Sequence, residues 1–249
     1  MIKYLKSENI KIKHTFANKL IFIAPVMIAM LSALLTADYF QIDIYNWWYT
    51  MLLPGVLSIE CCLLVRIDGK KKNKAVLSLS IDLKKVWIAK IVVGVKNISI
   101  SCFIIFIAAQ LSIYIMPFNS ISNIEFINGF IAFLVMVITS MWQVPLYFFI
   151  GKKIGLFPTI IFSMAAGMFS TITAVSKLWW INPLSYTSRL MCPILKILPN
   201  GLMAVPESVT FVPEVLNILQ IPFALIVSSI LFILITYVTA NWYEKQEAR

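Results

Sequence analysis

Residues 66–90, RIDGKKKNKAVLSLSIDLKKVWIAK, decide how the chain is read. Arg66, Lys70, Lys71, Lys72, Lys74, Lys84, Lys85 and Lys90 stand here against only Asp68 and Asp82. Strongly apolar runs lie on both sides. A basic segment between apolar spans stays cytoplasmic, because Lys and Arg near helix ends resist translocation. The segment is too short to be a domain and too long for a turn, so a cytoplasmic partner is expected to read it.

Composition agrees with a membrane location. The chain has 249 residues, of which 60% are hydrophobic and 13% charged, with mean hydropathy +0.88. That much apolar surface cannot be kept from water by a soluble domain of this length, so an all-α, multi-pass membrane protein follows. The net charge of +10 lies beside apolar runs, where topology and anionic headgroups account for it and nucleic acid does not. Cys61, Cys62, Cys102 and Cys192 form no CxxC pair and no metal spacing with the single His14. Only Cys192 is expected outside, so no disulfide is predicted. The first apolar run is too long for a signal-peptide core and lacks a small-x-small cleavage pattern, so it is expected to remain.

Outward from the basic stretch, residues 1–19 carry five lysines, with Ile2, Leu5, Ile12 and Phe16 available for one apolar face. That spacing predicts a helix lying in the cytoplasmic interface. Six spans are expected within a single domain: 20–37, 47–65, 97–116, 126–150, 156–176 and 221–240. Each is near the ~20 residues needed to cross the hydrocarbon. Pro25 and Pro54 fall inside spans and each removes a helix hydrogen bond. Residues 38–46 read as an outer loop, and Trp47, Trp48 and Tyr49 as an outer aromatic belt. Asp82 is placed to cap a helix that runs through Lys96 into the third span. Residues 75–82 alternate apolar and polar in a strand-like period, which that helix overrides for want of a partner strand. Ser122-Asn123-Ile124-Glu125 reads as a capping box. Ser163 with Gly167 and Ala166 with Ser170 form small-xxx-small pairs for close helix approach. Eighteen of the 21 Lys and Arg fall in the inner segments, so both termini are expected inside.

Catalytic chemistry is missing from the pattern. One histidine excludes HExxH, GKKIG at 151–155 fails the phosphate-loop pattern, and no GxSxG occurs. No catalytic residue and no metal ligand is expected. A membrane-embedded enzyme or sensor would need a cluster that the chain does not display. Glu60, late in the second span, is the one carboxylate well inside a predicted span. It is a functional candidate for ion or proton coupling. The alternative is that it reaches the interface and pairs with Arg66 or a loop lysine.

Two stretches resemble a known family. Glu60, the short basic loop, the run Leu77-Ser78-Leu79-Ser80 and then Lys90 resemble ABC-2 type permeases. The Pro common after the Leu/Ser run in that family is replaced here around Ile81-Asp82. The second stretch is Trp179-Trp180-Ile181-Asn182-Pro183-Leu184-Ser185-Tyr186, followed by Arg189-Leu190-Met191-Cys192-Pro193 and Leu198-Pro199-Asn200-Gly201. It looks like the last outer segment of lantibiotic immunity permeases of the nisin, epidermin and mutacin type. The NPLSY element is common to ABC-2 permeases, whereas the continuation from Arg to Asn-Gly is narrower. With the basic N-terminal helix, the likeness covers nearly the whole chain.

The resemblance implies half of an ABC-2 (type V exporter-like) transmembrane domain in a bacterial cytoplasmic membrane. It implies a partner ATPase dimer, carrying ATP and Mg, and a second homologous permease. Arg66, Asp68, Lys70, Lys71, Lys72, Leu77, Leu79 and Asp82 would couple to the ATPase. Trp179, Trp180, Asn182, Tyr186 and Arg189 would face the substrate at the outer surface, a peptide or another lipophilic molecule, among membrane lipids. Arg189 could meet a peptide carboxylate, a lipid phosphate or Glu207. Export of a drug or lipid, or a proton-coupled carrier using Glu60, are the alternatives.

Overall fold

The computed structural model describes residues 1–69, 82–115 and 124–245. Lys70, Lys71, Lys72, Leu77, Leu79, the side chain of Asp68, Ser122 and the 75–81 stretch lie outside the described residues. The described chain is helical, and its only extended pairing is an isolated bridge between Ile197 and Met203. Five helical runs are long and apolar enough to cross a membrane, or six if one bent pair counts as a single span.

Helix α1 (Ile2–Ile12) is separate from the first span. Thr15 ends the turn between them, its hydroxyl donating to the Ile12 carbonyl at 2.8 Å. The buried face of α1 holds only part of the apolar set expected, Leu5 and Ile12. Glu8 and Ile12 are buried, Tyr4 and Leu5 pack on the core, and Ile2 and Phe16 are exposed.

Helix α2 (Phe16–Leu35) runs unbroken through Pro25. Proline has no N–H for the carbonyl four residues back, which is that of Ile21. Ser101, on the neighbouring helix, donates to the Ile21 carbonyl at 2.9 Å and fills that vacancy. A buried polar group is thereby satisfied from outside its own helix.

The second span departs from expectation at its start. Residues 38–46 are no loop: a short turn (Ala37–Tyr39) leads into α3 (Phe40–Trp47), a π-helical stretch (Trp48–Leu52) and α4 (Leu53–Gly69). Phe40, Gln41, Ile44 and Tyr45 recur at helical spacing and are buried, so packing overrides the loop signal of Asp38 and Asp43. Gln41 joins three segments, donating to the Ala109 carbonyl at 2.8 Å and accepting from the Ile124 N–H at 2.9 Å. The continuous run Ala37–Ile67 has 31 residues, about 46 Å at helical rise.

Helix α5 (Leu83–Ile115) has 33 residues, about 50 Å, and overshoots a ~30 Å hydrocarbon layer. Its first turns project beyond the third span, as the sequence predicts. The fourth span is two helices, α6 (Phe126–Ser140) and α7 (Gln143–Ile154), bent by 41°. Pro145 cannot bond the Met141 carbonyl, and the Val144 N–H takes it instead at 3.1 Å. A tightened turn next to a proline accounts for the kink. Gly155, at φ 88°, ends α7 where a side chain would be strained.

Helix α8 (Leu156–Ala174) lays Ser163, Gly167 and Ser170 against the second span, the small-residue face expected there. Ser163 donates to the Pro54 carbonyl at 2.6 Å, and a Cβ at Gly167 would stand 3.0 Å from the Pro54 ring. Between α8 and α10 (Gln220–Glu244) lies α9 (Tyr186–Leu195), every residue of which is buried, packed chiefly on α6. Residues 177–219 are therefore a folded cap with a buried helix at its centre.

Candidate functional site

The residues singled out by sequence fall into three places: the end where α1 and α5 meet, the middle of α4, and the cap after α8.

At the first place, α1 docks on the projecting end of α5 through charge. Glu8 accepts from Lys90 at 2.6 Å and from Lys11 at 2.7 Å, with the Glu8 and Lys90 side chains 7% and 4% exposed. Two opposite charges removed from water are tolerated only when they meet with good geometry. Lys96 adds a hydrogen bond to Asn9, and the Asp82 N–H reaches the Tyr4 hydroxyl at 3.4 Å. Asp82 caps α5 as expected, accepting from the Lys85 N–H at 3.0 Å. The Lys85 side chain beside it holds its carboxyl below the usual carboxylate range. Lys84 pairs with Glu244 at 3.6 Å and ties α5 to the end of α10. Arg66 stands exposed at the end of α4.

An aromatic knot braces this end. Trp87 stacks on Tyr243 at 4.5 Å, meets Phe148 edge-on at 5.7 Å and donates to Thr239 at 3.1 Å. Lys152 lies 4.2 Å from the Tyr243 ring centre. Packed rings thus tie α5 to α7 and α10.

At the second place, Glu60 is 1% exposed and does not pair with Arg66. Neither carboxylate oxygen has a hydrogen-bond partner, and the same holds for both amide atoms of Asn97, which faces it from α5. The interface pairing weighed for Glu60 is overturned, because its turn of α4 is packed against neighbouring helices. Glu60 and Asn97 are thus each other's polar neighbour just short of a hydrogen bond, an unusual pair to bury.

In the cap, the NPLSY element builds a corner. Asn182 accepts from the Leu184 N–H at 3.2 Å and donates to Thr173 at 2.9 Å. Ser185 donates to the Trp179 carbonyl at 3.0 Å and Tyr186 to that of Trp180 at 2.6 Å. Arg189 is 2% exposed rather than outward. It donates to Gln220 at 2.7 Å and to the carbonyls of Ala174 and Glu214 at 2.9 Å each, and its guanidinium lies 5.3 Å from the Trp179 ring centre. None of these partners is Glu207. Trp179 and Tyr186 are buried, whereas Trp180 is 51% exposed, with Leu178 and Ile181 exposed beside it. The exposed surface of this corner is Leu178, Trp180 and Ile181, and Arg189 is buried within it.

Sequence reasoning passed over Glu8 and Asn46. Glu8 is the only acid in the first 37 residues, and that isolation among lysines was its signal. Asn46 donates to Tyr49 at 3.0 Å and to the carbonyls of Leu198 and Pro199 at 3.2 Å each, pinning the cap to α3. Nothing local to Asn46 announces this. No group of three or more His, Cys, Asp or Glu among the described residues could hold a metal ion. No family model, curated protein or solved structure matches the chain.

Proposed function

We propose that the chain is the permease subunit of an ATP-binding-cassette exporter that removes an antimicrobial peptide of lantibiotic type from a bacterial cell membrane. Both termini lie in the cytoplasm in this reading, and the chain is one half of an ABC-2 transmembrane domain. The observation that carries it is the Glu8–Lys90 clamp. It fixes an amphipathic basic helix to the overhanging end of α5, a stiff rod long enough to carry motion from outside the bilayer into it.

The cytoplasmic stretch around Arg66, Asp68, Lys70, Lys71, Lys72, Leu77, Leu79 and Asp82 receives the ATPase, which holds ATP and Mg. The exposed Leu178–Trp180–Ile181 surface offers apolar contact to an amphipathic peptide at the far interface. A second permease completes the core. The permease itself performs no chemistry. Export of another hydrophobic drug or lipid uses the same machinery. The unpartnered Glu60 favours one other reading, a proton-coupled carrier.

The test is affinity isolation of the tagged chain from its native membrane in mild detergent, with mass identification. Wild type runs beside a variant with Lys70, Lys71, Lys72 and Leu77 changed to Ala. An ATPase and a second permease should accompany wild type, and the ATPase should be missing from the variant. Recovery of the chain alone, where a known complex survives, overturns the reading.

A further inference from the structure

The turn between α1 and α2, the end of α4 and the turn between α7 and α8 enclose a cleft of about 1040 Å³. That volume is at the upper end of what small-molecule sites occupy. His14, Arg66 and Lys152 line it from the three segments, and none of its described lining residues is acidic. Phe16, Leu63 and Ile67 supply an apolar wall. Three candidate spans begin or end at this cleft: Phe16 opens the first, Ile67 closes the second and Leu156, next to the lining residue Gly155, opens α8. Ends of spans belong near the headgroups, which is where this reading puts the mouth, with the apolar wall toward hydrocarbon.

We infer that this cleft binds the phosphate headgroup of an anionic phospholipid, with Arg66, Lys152 and His14 around the phosphate and an acyl chain along Phe16 and Leu63. Arg66 suits a phosphate by its planar fork, and Lys152, held over the Tyr243 ring, adds a point charge from there. A free phosphate anion shares the headgroup chemistry but makes no use of the apolar wall. The site joins the α1–α2 turn and the start of α2 to α4 and α7, so an occupying lipid would brace the turn that follows α1. It does not depend on any ATPase.

The test uses the full chain in nanodiscs or mild detergent, with phosphatidylglycerol, phosphatidylcholine and inorganic phosphate as probes. Native mass spectrometry should show phosphatidylglycerol retained over phosphatidylcholine. Retention should fall about tenfold in Arg66→Gln and in Lys152→Gln, the loss of one charge-assisted contact. Lys153→Gln, outside the cleft lining, should retain the lipid as wild type does. Equal retention of the two lipids, or undiminished retention in both cleft variants, overturns the assignment. So does displacement of the lipid by millimolar inorganic phosphate, which would mark a plain anion site. A second readout needs wild type alone: phosphatidylglycerol carrying a photoreactive acyl chain should label peptides containing residues 14–17 and 63–67. Labelling confined to other peptides also overturns it.

Discussion

Glu8 and Lys90 lie 82 positions apart in sequence and meet at 2.6 Å in a site almost closed to solvent. The pair turns a basic N-terminal helix from a membrane-surface tether into a part of the bundle. Removing one member of such a pair costs about 3–5 kcal/mol, since the other charge stays buried. Glu8→Ala and Lys90→Ala are each expected to free α1 for limited proteolysis after residue 12 while the spans stay protected. A double-mutant cycle should show strong coupling; additive single effects would mean that α1 is held by packing alone.

Arg189 and Trp180 should separate by assay. Arg189→Lys cannot reproduce three donations in fixed directions, and hydrogen bonds to charged groups are worth about 1.5–3 kcal/mol each. A drop of several degrees in melting temperature is expected. Trp180→Ala, on an exposed ring, should leave stability within about 0.5 kcal/mol. Under the proposed exporter function, survival of cells challenged with peptide should fall in Trp180→Ala.

Glu60→Gln discriminates between energy sources. An ATP-driven exporter should tolerate it, because the substitution keeps shape and removes only the capacity to release a proton. A proton-coupled carrier should stop. Substrate efflux with and without a proton gradient, beside ATP turnover, reads the difference.

Ser101→Ala strips the Ile21 carbonyl of its donor and should destabilise by about 1–3 kcal/mol. Pro25→Ala restores an N–H to that carbonyl and should make Ser101→Ala nearly harmless. Thermal melts of the two singles and the double would settle it, and equal losses from Ser101→Ala in both backgrounds would refute the pairing.

Asp82 provides a pH signature. Its carboxyl is held below its ordinary value, near 3.9, so the cap's contribution is full above that value and lost as pH falls through the folded one. Amide exchange at residues 83–86 should be insensitive to this group from pH 8 to 5, once intrinsic rates are removed. It should accelerate below about pH 4. Asp82→Asn should abolish that acid-side change.

Much of the helical framework was legible because hydrophobic length is a local property. The five runs and the overhang of α5 follow from apolar stretches and from Asp82, and the small-residue face of α8 follows from spacing. What could not be read depends on distant partners. Residues 38–46 carry two acids and look solvated, yet Gln41 becomes buried because Ala109 and Ile124 offer it partners. Arg189 looked like an outward base because its acceptors are mostly carbonyls, and carbonyls leave no mark in a sequence. Glu60 kept its oddity in both views: an acid within a span, and no partner when folded.

Asn46 holds the carbonyls of Leu198 and Pro199 from 152 and 153 positions away. A ribosome adding roughly 5–20 residues per second needs about 8–30 s to cover that distance. During that interval the second span sits in the bilayer with its latch open. The cap can latch onto α3 only after the fifth span has been made, so assembly ends on a late, spatially remote step. Quality-control proteases acting before that moment would meet a half-built chain, and a mutation at Asn46 would reveal itself first as lost abundance.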